Sequence, residues 1–184
     1  MNLSNPEVAE CFVCEQLGEQ PRRLAHVLRV TEKVRESAKV IEENHPELPF
    51  KADLAICAAL LHDIGYAKSL AVTGFHPIDG FNFLKQQGFD ELARLIVGHS
   101  CSPEEAELNG LDEIISSDSL EAKLVTYWDM RVKQGGRLVS YEERLNDIIT
   151  RYGEHSIVSQ ANLKAQGRLT EEFVEVEKLL KYDK

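Results

Sequence analysis

Apolar residues recur at helical spacing along almost the whole chain. From Pro21, the positions Leu24, Val27, Leu28, Val30, Val34, Ala38 and Ile41 follow one another at intervals that place them on one helix face. A proline suits the first turn of such a helix. The stretch NHPELP (44–49) ends it, because the residue before each proline is pushed out of the helical region. A second helix is predicted over 51–65, with Gly65 as a left-handed cap. Its sequence ADLAICAALL has no polar face, so it should be buried on all sides. Shorter helices are predicted over 77–88 and from about 90.

Later helices carry start signals. Ser102 with Glu105, and Ser140 with Glu143, both have the Ser-x-x-Glu form of a capping box. Between them lies a helix over 120–131, followed by a KQGGR loop. The last helices are predicted over 141–152, 154–166 (before Gly167) and 170–182. No segment alternates with period two between hairpin turns, and neither a repeat nor a linker interrupts the pattern. The expected fold is therefore one all-α domain over 1–184, a compact helical bundle. Its last two helices either pack on the core or mediate self-association as a homodimer.

Composition narrows the choice of partner. A chain of 184 residues can bury a sizeable core, and 43% apolar with 28% charged residues is ordinary for a folded domain. The net charge of −10 argues against a nucleic-acid polymer or an anionic membrane as partner. A small phosphorylated ligand remains compatible, because a metal ion can supply local positive charge. The start MNLSNPEVAE has no basic region followed by an apolar one, and no apolar run approaches a membrane span, so the expected location is cytoplasmic. Cys11 and Cys14 form one CxxC with no second pair or nearby histidine, which reads as reduced thiols.

Several polar residues sit where apolar ones are expected. His26 flanks the apolar stripe of its helix. His62 and Asp63, in LLHDIG, end the most apolar helix of the chain. His99 follows LARLIVG, and Asp129 interrupts LVTYWDMRV. Burying a carboxylate without a partner costs several kcal/mol or more, so something must compensate it. Imidazole and carboxylate groups brought from separate helices fit convergence on a metal ion in the bundle interior. Adjacent helical residues point about 100° apart. His62 and Asp63 must therefore straddle one centre, or Asp63 must bridge two. His45 reads as an exposed loop residue and His155, at the start of a late helix, as structural.

The order His26, then His62-Asp63, then Asp129 resembles the H…HD…D signature of the HD-domain superfamily of metal-dependent phosphohydrolases. LLHDIG is close to that family's typical central string, and the similarity covers roughly 22–131. The resemblance implies that His26, His62, Asp63 and Asp129 hold a divalent metal. His76 in HPIDG and His99 in VGHS resemble the extra histidines of two-metal members, which include diadenosine polyphosphate hydrolases and di-iron oxygenases. They imply a second ion, with Asp63 bridging. Mixed His and carboxylate ligation suits Fe or Mn, with Ni, Co, Zn or Mg as alternatives.

The implied activity is hydrolysis of a small phosphate ester or phosphoanhydride, such as a nucleotide, by a metal-activated hydroxide, with Asp63 among the catalytic groups. A di-iron oxygenase and a non-catalytic metal- or nucleotide-binding regulatory module are the alternatives. Lys68, five residues past the HD pair, is the candidate cationic donor, although the family spacing is usually shorter. Arg22, Arg23 and Arg131 read as surface charges. SYEERLNDIITRYG reads as a capped amphipathic helix sending Leu145, Ile148 and Ile149 to the core, in preference to a substrate role for Glu142 or Arg144. No serine lies in a nucleophile-elbow motif, and no glycine-rich phosphate loop is present.

Overall fold

The computed structural model describes residues 1–114 and 116–181. Among them are nine α-helices and a single-turn 3-10 helix, with no β-strand. The helices are α1 (Pro6–Leu17), α2 (Pro21–Asn44), α3 (Ala52–Leu61), α4 (His76–Gln86), α5 (Asp90–Val97), α6 (Ser102–Leu108), α7 (Leu120–Asp129), α8 (Tyr141–Tyr152) and α9 (Ile157–Leu180). The 3-10 turn, Ile64–Tyr66, lies between α3 and α4. An isolated bridge between Val132 and Leu138 closes the KQGGR loop. Among the described residues no helix is long and apolar enough to cross a membrane.

Helix α3 is the centre of the bundle because it has no polar side to offer water. Every residue from Ala55 to Leu61 is buried, and α1, α2, α5 and α7 pack around it. The stripe of α2 turns inward as expected, burying Val27, Val30, Val34, Ala38 and Ile41, with Leu24 and Leu28 at its edge. Each fully buried aliphatic side chain of this kind contributes about 1.5–3 kcal/mol. Helix α8 starts as predicted. The Ser140 hydroxyl accepts from the Glu143 N–H, and the Glu143 carboxylate accepts from the Ser140 N–H.

Three expectations are corrected. The two predicted C-terminal helices are one: α9 runs through Gly167, whose missing Cβ faces open space. A glycine there costs about 1 kcal/mol relative to alanine. That is small beside the burial of Ala161, Ala165, Leu169, Phe173 and Val176, which packs α9 onto the core. The predicted end at Tyr182 lies outside the described residues. Ser102 does not cap α6: Cys101 holds that position, and the Ser102 hydroxyl donates instead to the His99 carbonyl at 2.7 Å. Finally, α3 stops at Leu61, and Gly65 is not a left-handed cap. A Cβ on Gly65 would lie 2.0 Å from the His76 carbonyl oxygen and 2.8 Å from the Gly80 nitrogen, so only glycine lets α4 pack against the 3-10 turn.

Candidate metal centre

His62 and His99 are built alike, each just past a helix end. The last carbonyls of a helix lack intrahelical partners. The His62 ring takes up one, its Nδ1 lying 2.7 Å from the Ala59 carbonyl at the end of α3. His99 does the same after α5, with Nδ1 2.5 Å from the Ile96 carbonyl. A carbonyl only accepts, so Nδ1 carries the proton in both rings and Nε2 presents its lone pair to the interior.

His26 on α2 and Asp129 at the end of α7 meet His62 there. His26 Nε2 lies 3.0 Å from Asp129 Oδ1, and His62 Nε2 lies 3.9 Å from the same oxygen. The other Asp129 oxygen, Oδ2, accepts from the Ser100 hydroxyl. Ser100 adopts a left-handed backbone (φ 53°), uncommon for a non-glycine residue. Its N–H donates to the Thr126 hydroxyl at 3.2 Å, and its carbonyl accepts from Arg168 at 2.7 Å. Ser100 and Arg168 thus orient Asp129, and neither stands out in the sequence.

Asp63 divides its two oxygens. Oδ2 faces His62 Nε2 at 3.6 Å and His26 Nε2 at 3.9 Å, and accepts from Arg23 Nη1 at 2.6 Å. Oδ1 faces His76 Nε2 at 3.4 Å and His99 Nε2 at 3.9 Å. His76 reaches this point because Gly65 admits the start of α4, and its ring stacks on Tyr66 with centroids 4.0 Å apart. Two ligand sets result, His26/His62/Asp129 and Asp63/His76/His99, each offering donor atoms within 4.8 Å of one another.

Charge at the site follows from its surroundings. Burial alone would raise the Asp63 carboxyl, but Arg23 and then His62, His76 and His26 outweigh it and hold the group well below the usual carboxylate range. Burial likewise opposes ionisation of Asp129, and His26, His62 and Arg144 overcome it. Burial pushes His76 and His99 down, so both are neutral at pH 7. Anionic carboxylates and neutral imidazoles are the forms that bind metals.

The polar atoms left over test whether a metal fits. Nδ1 of His26 and Nε2 of His62 are buried with no hydrogen-bond partner, and His26 Nε2 meets only the Asp129 carboxylate. Each such atom costs about 1–3 kcal/mol if nothing satisfies it. Unpaired imidazole nitrogens facing ionised carboxylates are what a divalent cation would satisfy, and the donor set fits one.

The structure thus brings together His26, His62, Asp63, His76, His99 and Asp129, and it leaves Lys68 outside. Lys68 is exposed on the surface, its ammonium 2.6 Å from Glu19 Oε2. The flanking cavity, about 80 Å³, is lined by Asp63, His76, His99 and Asp129 and carries Arg23, Arg144 and Arg151 instead. Arg23, read from sequence as a surface charge, forms the ion pair with Asp63 and lies over the Tyr66 ring at 3.7 Å. Arg144, read as part of a capped helix, is buried at the cavity wall. Its signal in the sequence is its place four residues before Ile148, on the inward stripe of α8. Arg131 lies against Tyr127 and Phe173 and pairs with Glu177. His45 contacts the Leu179 carbonyl, and His155 is exposed.

Comparison with known proteins agrees with this geometry. A family model, described as HD domain, matches residues 23–131, more than half of the chain. A search of curated proteins finds no match. With His26, His62-Asp63 and Asp129 all inside the matched segment, the chain belongs to the HD-domain family.

Proposed function

We propose that the protein is a metal-dependent phosphohydrolase that cleaves a small phosphate ester or phosphoanhydride, such as a nucleotide. The observation that carries this reading is the division of the Asp63 oxygens between two ligand sets that meet at one arginine-bearing cavity, lined by Asp63, His76, His99 and Asp129. His26, His62 and Asp129 would hold one divalent ion, His76 and His99 a second, and Asp63 would serve both. When bound, such ions supply Lewis acidity toward phosphoryl oxygens and lower the pKa of water toward neutrality.

The protein's own groups do the rest. Arg23 keeps Asp63 ionised and fixed, Ser100 fixes Asp129, and the helix-end carbonyls fix the His62 and His99 tautomers. The enclosing helices limit access of bulk water to the ligands, which strengthens every charge interaction there. A cysteine nucleophile is disfavoured: Cys101 lines the cavity, but burial pushes its thiol up, so it stays protonated. The net charge of −10 favours a small ligand over a polymer.

The test is phosphate release from a panel of nucleotides, sugar phosphates and dinucleoside polyphosphates, with Fe, Mn, Ni, Co, Zn or Mg supplied in turn. The expected result is metal-dependent release that Asp63→Ala abolishes. No release with any metal would remove the reading. Iron-dependent oxygen consumption without phosphate release would replace it with an oxygenase.

A further inference from the structure

We propose that Arg144, supplied by α8 outside the segment that matches the family model, is the seat for one phosphoryl group of the substrate. The proposal rests on the phosphohydrolase reading above. It starts from an imbalance in the cavity wall. The Arg144 side chain is 9% exposed, yet its Nε and Nη1 have no hydrogen-bond partner. Two carboxylates lie near but beyond hydrogen-bonding range, Asp147 Oδ2 at 3.6 Å from Nη1 and Asp129 Oδ1 at 4.0 Å from Nη2. A buried cationic group with idle donors is costly, and its cost falls when an anion reaches it.

The other arginines of the cavity each donate to a carboxylate. Arg23 donates to Asp63 at 2.6 Å and is stacked on Tyr66. Arg151 donates through Nε to Asp147 at 3.0 Å. Among the described residues lining the cavity, Arg144 is the arginine whose guanidinium makes no hydrogen bond to a carboxylate. Its position is not an accident of a loose side chain. The Ser140–Glu143 capping box fixes where α8 begins, and Leu145 and Ile148 bury the same helix against the core. The guanidinium thereby stands beside Asp129, a ligand of the first set, where a group bound at the metal centre would meet it. A planar fork of N–H donors matches two phosphoryl oxygens at once.

The test titrates inorganic phosphate into metal-loaded wild type, Arg144→Met and Arg144→Lys by calorimetry, with metal content and melting temperature measured on the same samples. The expected result is phosphate binding by wild type, about 10- to 100-fold weaker binding by Arg144→Met, and an intermediate loss for Arg144→Lys, which keeps charge but not the fork. Metal content should be unchanged, and Arg144→Met should melt close to wild type, because the guanidinium makes no hydrogen bond for the substitution to break.

Equal phosphate affinity in Arg144→Met, or no phosphate binding by wild type, would overturn the proposal. So would an Arg144→Met protein that fails to fold or loses metal, which would make Arg144 a structural partner of Asp129 and Asp147. The hydrolase reading fails separately. Arg144-dependent phosphate binding without turnover of any ester would keep the seat and remove the hydrolase. Turnover with phosphate affinity untouched by Arg144→Met would do the reverse.

Discussion

The two ligand sets are enclosed very differently. His26, His62 and Asp129 come from α2, the end of α3 and α7, helices that pack directly on one another. His76 and His99 come from the margins of α4 and α5, placed by close backbone approaches at Gly65 and Gly98. A Cβ on Gly98 would lie 2.6 Å from the Ser116 Cα. His26 and His62 are sealed from solvent, whereas the His76 side chain retains 16% exposure and lines the cavity together with His99. The two histidines of the first set are therefore part of the core, whereas Asp129 and the second set line the cavity. Asp63 belongs to both.

That contrast can be broken at its shared member. Asp63→Ala should remove both ions and lower turnover by at least about a thousandfold, since it deletes the common ligand and strands Arg23 without its carboxylate. Metal analysis and phosphate release on the same preparation check this. Full activity in the variant would end the scheme.

Separating the sets should give unequal losses. His26→Ala is expected to lose the first-set ion and to melt well below wild type, because it also empties a core position. His76→Ala is expected to retain about one ion per chain and to melt close to metal-matched wild type. Identical metal content and melting in the two variants would contradict the division into core and accessible sets.

Gly65→Ala sharpens the same point without touching a ligand. The added Cβ must push α4 away from the 3-10 turn, an overpacking cost of about 1–3 kcal/mol. Displacing His76 in this way should weaken the second-set ion more than the first, read as a fall in metal occupancy on titration. The smallest effect is expected at Lys68→Ala. Lys68 pairs with Glu19 on the surface away from the cavity, so kcat/KM should stay within about twofold of wild type, as is usual for an exposed ion pair.

How legible the molecule was in its sequence follows the same contrast. The core set was readable because each member breaks an apolar pattern: His26 beside the α2 stripe, His62 and Asp63 at the end of an all-apolar helix, Asp129 inside α7. Period and capping placed α2 and α8 with the correct boundaries at their starts. What escaped were features set by tertiary contact. Gly65 looks like a helix stop in one dimension, but its role is the approach of His76 in three. Gly167 looks like a break, but a solvent-facing glycine cannot stop a helix whose other face is buried.

The arginines escaped for a related reason. Arg23 and Arg144 lie at the edge of amphipathic helices, where a long charged side chain can turn either to water or to a buried carboxylate, and the choice depends on Asp63 and Asp129 arriving from elsewhere in the chain. Lys68 was favoured by its nearness in sequence to the HD pair. The chain turns it outward to Glu19 after the 3-10 turn.

The central claim is that two ligand sets meet at Asp63, and metal stoichiometry tests it most directly. Protein reconstituted with Fe or Mn, freed of loose metal and measured by mass spectrometry should hold two ions per chain, about one after His76→Ala and none after Asp63→Ala. A wild-type chain that retains no ion, or an Asp63→Ala chain that retains two, would contradict the account.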